Sequence, residues 1–192
     1  GLLDLSGFAK FEVSGPDAGA FLNRMCANRM PQKTGGIVLA HVLSPAGRIR
    51  AEMTITRLPD EPNDGQGGEC YYVLSAAAAE LRDLDHLQQG RLEHERVTNS
   101  NITEQRGVLV LAGPRSREIL SPLTDADLGN AAFPWLSGRE ISVAGIPLIA
   151  LRVNYVGELG WELHPRVEHM GELYDALWRA GAAHGVANFG LY

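Results

Sequence analysis

The stretch from Arg152 to Leu163 (RVNYVGELGWEL) carries the densest set of residues able to take part in ligand chemistry. A strand, a turn bounded by Gly157 and Gly160, and a second short strand bring Tyr155 and Glu162 into the same neighbourhood. A carboxylate accepts hydrogen bonds from N–H donors, and a tyrosine combines an apolar ring with a polar hydroxyl. The same segment also fits a hairpin without a ligand site, in which the glycines only form the turn and Glu162 is exposed to solvent.

A second candidate set lies on the alternating segment from Arg48 to Arg57. The alternation predicts a strand with an apolar face and a polar face. The polar face carries Arg48, Arg50, Glu52, Thr54 and Thr56. Because Glu52 shares this face with two arginines, a surface row of ion pairs is one interpretation of its position. A role in proton transfer is the other.

The elements that must position these residues follow the same order twice along the chain. Each half, residues 1–100 and 101–192, is predicted to form a strand, a helix, a hairpin and a second helix. The pairs Gly15-Pro16 and Gly113-Pro114 open the first helix of each half. This order predicts an α+β fold of two pseudo-repeated halves, with mostly antiparallel sheets and helices packed on one side.

Hydrophobic spacing predicts the faces of the later helices. The helix over Ala76 to Gln89 is expected to turn three leucines inward, namely Leu81, Leu84 and Leu87. The helix from Val167 to about Ala183 is expected to bury Met170, Leu173, Tyr174, Leu177 and Trp178. The polar, Gly/Pro-rich stretch Leu58–Glu69 predicts a loop.

Composition and charge argue against several classes of protein. The 192 residues are 45% hydrophobic and carry a net charge of −6, without the basic stripe of a nucleic-acid binder. No apolar run approaches the roughly 20 residues of a membrane span. Two cysteines and six histidines lack the spacing of a disulfide framework or a metal site, so we expect no metal. Without a secretory leader, the expected compartment is the cytoplasm, or the mitochondrial matrix in a eukaryote.

Both ends of the chain have the character of internal sequence. The first residue is Gly1 rather than Met, and the last residues, 188–192, form no tail or cap. We therefore expect a piece of a longer polypeptide. The glycine-rich stretch Asp64–Gly68 does not join a strand to a helix, as a dinucleotide-binding fingerprint must, so no FAD site is predicted within these residues.

The segment from Tyr155 to Glu162 (YVGELGWE) resembles the Y-[TV]-G-E-x-G-[WYF]-E signature of the glycine cleavage T-protein (aminomethyltransferase) family. Three further stretches match this family in the same order. They are Asp4–Ser6 with Val13–Ala18 and Phe21-Leu22, Gly47–Ile49 running into Glu52, and Gly113–Ser116. The sequence from Gly157 to Leu163 is most similar to the branch that holds the C-terminal folate domains of dimethylglycine and sarcosine dehydrogenases.

The resemblance implies roles for four residues. Glu162 would hold the pterin ring of tetrahydrofolate, and Tyr155 would line the same site. Glu52 matches the second of two aspartates in T-proteins, here replaced by Ala51-Glu52, so the acidic group is one methylene longer and its acidic neighbour is lost. We predict Glu52 as the catalytic carboxylate, acting on the nucleophilic amine or the iminium. Thr54 is predicted to bind the cofactor.

By the same resemblance, the chain is a partial folate-binding domain that forms 5,10-methylenetetrahydrofolate from an iminium or formaldehyde-level unit. The iminium would derive from an N-methylated amine, oxidised in an upstream FAD domain, and a downstream barrel region would complete the folate side. One alternative is a stand-alone aminomethyltransferase that works with a lipoyl carrier protein. Another is a binding or assembly protein of the same fold without transfer activity. The oligomeric state is left open.

Overall fold

The computed structural model describes residues 1–61 and 68–190, which form two five-stranded sheets and four α-helices within these ranges. In chain order the elements are β1 (Leu2–Asp4), β2 (Ala9–Gly15), α1 (Ala18–Met25), β3 (Ile37–Leu43), β4 (Ile49–Glu61), β5 (Gly68–Ser75), α2 (Glu80–Gln89), β6 (Thr98–Asn101), β7 (Leu109–Ala112), α3 (Ser116–Leu120), β8 (Gly138–Val143), β9 (Ile146–Leu151), β10 (Gly160–Pro165) and α4 (Met170–Gly181). Every pairing between these strands is antiparallel. The predicted α+β class is confirmed.

The chain divides into two compact units. The first unit is Phe8–Thr103, with the strand order β3-β4-β5-β2-β6. The second unit combines Gly1–Gly7 with the chain from Glu104 onward, in the strand order β1-β7-β10-β9-β8. Residues 1–7 thus belong with the later part of the chain, because Leu2, Leu3 and Asp4 pair with β7.

In the first unit, one face of the sheet packs on the helices. Strand alternation sends Phe11 and Met53 into the core, where they join Phe21 from α1. The opposite face carries the polar set of β4, and Thr54 lies there in register with Leu39 on β3 and Leu74 on β5. The candidate residues of β4 therefore sit on the face that is not used for packing α1 and α2.

In the second unit, β10 occupies the centre of the sheet between β7 and β9. Trp161 and Leu163 are fully buried in the core, together with Leu173 and Leu177 of α4. Glu162 lies between these two core residues in sequence, so its side chain leaves the other face of the sheet. The core of the unit thus fixes the strand that presents the candidate carboxylate.

The two helix starts share one backbone device. Gly15 and Gly113 have φ angles of +131° and +125°, a region that residues with a Cβ rarely adopt. A Cβ at Gly15 would lie 2.2 Å from the carbonyl oxygen of Arg96. Each helix begins three residues after its glycine and two residues after its proline, so both Gly-Pro pairs serve as the predicted helix-opening turns just ahead of the helix itself.

Three sequence-based expectations differ from the structure. Strand β4 continues to Glu61 and β5 begins at Gly68, so both ends of the predicted loop Leu58–Glu69 belong to strands. Residues 62–67, which include most of the stretch Asp64–Gly68, lie outside the described residues. Leu81 is 79% exposed, because α2 buries only the face that carries Leu87. Trp178 is also exposed, and its ring stacks on that of Tyr174, with the ring centroids 5.8 Å apart.

None of the helices in the described ranges combines the length and hydropathy needed to cross a bilayer.

A two-point ion pair ties α1 to the segment before β6. The guanidinium of Arg24 contacts both carboxylate oxygens of Glu95, at 3.1 Å through Nε and 2.6 Å through Nη2. The backbone N–H of Leu92 donates to Oε2 of Glu95 at 2.8 Å. The hydrogen bonds from Arg24 and Leu92 hold the pKa of Glu95 below its ordinary value.

We expect Glu95→Gln to lower the free energy of unfolding at neutral pH and to have little effect in acid. A carboxylate with a lowered pKa stabilises the folded state above its unfolded pKa of about 4.3 and loses that contribution as the pH falls through the folded pKa. Urea denaturation across this pH range measures the difference, with exposed Glu93→Gln as the matched control. A pH-independent difference would contradict the assignment.

Candidate functional site

The carboxylate of Glu162 occupies the middle of the sheet of the second unit. Its cross-strand neighbours are Val110 on β7 and Leu151 on β9, both buried aliphatic residues. The alternation Trp161, Glu162, Leu163 assigns the tryptophan and the leucine to the core and the carboxylate to the opposite face. The carboxylate thus stands between two buried aliphatic side chains of the neighbouring strands.

This carboxylate is nearly buried and incompletely paired. The Glu162 side chain is 11% exposed, and its Oε2 atom lies 3.5 Å from Nε2 of His164, two residues along β10 on the same face. Within residues 1–61 and 68–190, no protein group donates a hydrogen bond to Glu162. A buried carboxylate without donors is costly, since the lost hydration is not replaced. The oxygens of Glu162 are therefore available to an external donor pair.

Tyr155 lies in the connection between β9 and β10, and the residue is 73% exposed. The end of this connection is anchored, because the carbonyl oxygen of Leu159 accepts hydrogen bonds from the backbone N–H of Gly113 and from Oγ of Ser116. In the described part of the chain, no hydrogen bond joins Tyr155 to Glu162. The structure thus brings both residues into one unit but leaves the tyrosine ring in solvent.

Glu52 lies in the first unit, on the β3–β4 hairpin, with a side chain that is 58% exposed. Its Oε2 atom is 3.0 Å from Nε2 of His41, the residue directly opposite on β3. Arg48 and Arg50 form no ion pair with Glu52 among the described residues, so the row of ion pairs along β4 is not observed. Thr54 follows on the same face of β4 and is half-buried.

His41 and His164 belong to the six histidines that lack the spacing of a metal site, yet each is the polar neighbour of a candidate carboxylate. The two-residue spacing of Glu162 and His164 on a strand was a readable signal for a shared face. The His41–Glu52 pair was harder to predict, because a register shift between Val42 and Leu43 displaces the pairing by one residue. In the ranges that the structure describes, no three His, Cys, Asp or Glu side chains form a group able to hold a metal ion.

Comparison with known proteins covers the whole chain. The family model described as "GCVT N-terminal domain" matches residues 1–192. The mitochondrial dimethylglycine dehydrogenase of Rattus norvegicus is 36% identical, over 100% of this chain and 22% of that protein. The mitochondrial sarcosine dehydrogenase of Mus musculus is 32% identical, over 98% of this chain and 21% of that protein. The chain spans about a fifth of the length of the curated relatives it matches.

A solved structure shows the same fold. The glycine cleavage system aminomethyltransferase T from Bartonella henselae superposes with a TM-score of 0.78 and 20% sequence identity, over 98% of this chain and 46% of that chain. At this identity the match concerns the fold alone. It agrees with the two antiparallel sheets and their helices described above.

We expect Glu162→Gln to leave the free energy of unfolding of the ligand-free protein unchanged or to raise it. The substitution keeps the shape of the side chain and removes a charge that is poorly hydrated and lacks hydrogen-bond donors. Chemical denaturation of both proteins without ligand measures the effect. A decrease of more than about 1 kcal/mol in the free energy of unfolding would mean that the carboxylate has a structural partner within the protein and is not available to a ligand.

Proposed function

The chain belongs to the GCVT N-terminal domain family, and from this premise we propose that it is the tetrahydrofolate-binding part of a larger one-carbon-transfer enzyme related to dimethylglycine and sarcosine dehydrogenases. The product would be 5,10-methylenetetrahydrofolate, formed from an iminium or formaldehyde-level unit. The observation that carries the proposal is the carboxylate of Glu162, which is nearly buried on a central strand and receives no hydrogen bond from the described residues.

The chemistry of Glu162 fits the pterin ring of tetrahydrofolate. A reduced pterin presents an exocyclic amino group beside a ring N–H, and a carboxylate accepts both hydrogens in a two-point, charge-assisted pair. The aliphatic neighbours Val110 and Leu151 lower the local polarity, which strengthens such a pair. Glu162 would thereby set both the position and the orientation of the ring.

Tyr155 would supply an aromatic surface to the same ligand. The residue is 73% exposed, so packing of its ring on a heterocycle would remove apolar area from water while the hydroxyl remains hydrated. The end of its loop is anchored through Leu159, so only the part of the loop that carries Tyr155 would have to move to bring the ring onto the ligand. Folate binding would then fix the conformation of this part of the loop.

Glu52 would act in the transfer step. His41 contacts one of its oxygens at 3.0 Å and so restricts the orientation of the carboxylate. An ionised Glu52 would take the proton of the nucleophilic amine or stabilise the cationic iminium, and the Thr54 hydroxyl would donate a hydrogen bond to the bound folate. FAD, in another domain of the longer polypeptide, would supply the oxidation of the N-methylated amine.

We expect Glu162→Ala to weaken tetrahydrofolate binding by the full-length protein at least tenfold. The loss corresponds to one charge-assisted, two-point interaction. Isothermal titration calorimetry measures the affinity. Glu158→Ala is the matched control, because Glu158 lies in the same motif but its side chain is exposed.

Unchanged affinity in Glu162→Ala would overturn the folate assignment. An equal loss in both variants would point to a disturbed loop rather than to recognition of the ring. Far-ultraviolet circular dichroism of each variant separates an altered fold from an altered site.

We expect Glu52→Gln to lower the turnover of dimethylglycine with tetrahydrofolate by roughly 10²- to 10⁴-fold, with folate affinity retained. The substitution removes the proton acceptor and keeps the size of the side chain. Steady-state formation of methylenetetrahydrofolate by the intact protein is the measurement, and Glu140→Gln, at an exposed position of β8, is the control. Equal rates would remove Glu52 from the mechanism and would favour a domain that binds folate without transferring the one-carbon unit.

A further inference from the structure

Two arginines of the second unit share one hydrogen-bond acceptor. Nη2 of Arg117 and Nη2 of Arg152 both donate to Oδ1 of Asn130, over 2.7 and 2.8 Å. Their guanidinium carbons lie 5.8 and 5.7 Å from the ring centroid of Trp161. The two cationic groups are therefore confined to one small volume beside the indole.

The other partners of these guanidinium groups are neutral. Nε of Arg117 donates to the carbonyl oxygen of Leu128 at 3.0 Å, and Nη1 of Arg152 donates to the carbonyl oxygen of Phe133. Among the described residues, no carboxylate lies within 4.0 Å of either arginine. Asp127, on the same loop as Asn130, accepts the backbone N–H of Gly129 instead. Two positive charges thus stand together without a counterion.

The environment makes this arrangement unfavourable for the protein alone. Arg152 is only 9% exposed, and its Nε–H is buried without a hydrogen-bond partner. Burial, together with the nearby charge of Arg117, lowers the pKa of Arg152. A third guanidinium, that of Arg139, lies 5.6 Å from the ring centroid of Phe133 and adds to the positive potential.

We propose that Arg117 and Arg152 bind a small oxyanion, a carboxylate or phosphate group, at the position now occupied by Oδ1 of Asn130. The amide oxygen marks the point where the N–H groups of both arginines converge. The planar guanidinium fork matches the geometry of carboxylates and phosphates. Asn130 is exposed and Arg117 is half-buried, and a rotation of the Asn130 amide would open the shared position to a ligand.

This anion site is separate from the proposed folate site. Glu162 pairs with Leu151 across β10 and β9, so these two side chains leave the same face of the sheet. Arg152 follows Leu151 in sequence and lies with Trp161 on the other face. The inference therefore does not depend on folate binding.

Arginine modification by phenylglyoxal tests the site in the intact protein. Peptide mass spectrometry measures the rate of modification of Arg117, with exposed Arg179 as an internal control. Sodium phosphate or sodium acetate replaces sodium chloride in increasing amounts at constant ionic strength. We expect one of the two anions to slow modification of Arg117 at least fivefold and saturably, with Arg179 changed less than twofold. The anion with the lower half-saturating concentration identifies the class of ligand.

Two variants distinguish the proposed site from general charge screening. Asn130→Ala removes the competing oxygen and is expected to lower the half-saturating concentration at least threefold. Asn130→Asp supplies an internal carboxylate and is expected to abolish the protection. Parallel slowing of Arg117 and Arg179, no slowing in wild type, or full protection in Asn130→Asp would each overturn the proposal. If a variant does not fold, the rates of modification of Arg117 and Arg179 in the wild-type protein still test the proposal.

Discussion

A carboxylate that is buried without hydrogen-bond donors is the constraint around which the second unit is organised. Glu162 is positioned by its neighbours in sequence, because Trp161 and Leu163 are fixed in the core and leave its side chain only the opposite face. The same packing that stabilises the sheet thus holds the charged group in place. Burying a carboxylate without donors costs free energy, and a ligand that donates hydrogen bonds to it would relieve that cost.

The family, the fold class and the order of elements were predictable because they depend on local patterns. The motif from Tyr155 to Glu162 indicated the family, and the match to the family model over residues 1–192 confirms it. Strand alternation and the two Gly-Pro pairs predicted the repeated order of strand, helix, hairpin and helix, since each pattern reflects a steric preference that acts within a few residues. The short strands β1 and β6 were not predicted. The relatives are enzymes, as expected from that resemblance.

The features that were wrong or not foreseen depend on contacts distant in sequence. Trp178 has the spacing of a core residue, but α4 packs through a narrower face, and its ring stacks on Tyr174 instead. Glu52 contacts His41 on β3 rather than an arginine of its own segment. That cross-strand pair depends on a bulge that shifts the register of the hairpin by one residue. Tyr155 is exposed and Glu162 is buried, although the two residues lie seven positions apart in one motif. This difference follows from tertiary packing, which the hydrophobic periodicity of the sequence does not encode.

The assignment of residues 1–7 to the second unit has a consequence for the order in which the protein acquires its structure. The first unit is continuous in sequence, so it can fold as soon as residue 103 has left the ribosome. Strand β1, made earlier, has to wait about a hundred residues for β7, its partner. Closing so long a loop costs chain entropy and slows the pairing of β1 with β7. The second unit is therefore expected to complete its sheet last. Until then the edge of β7 is exposed and can pair with strands of other chains.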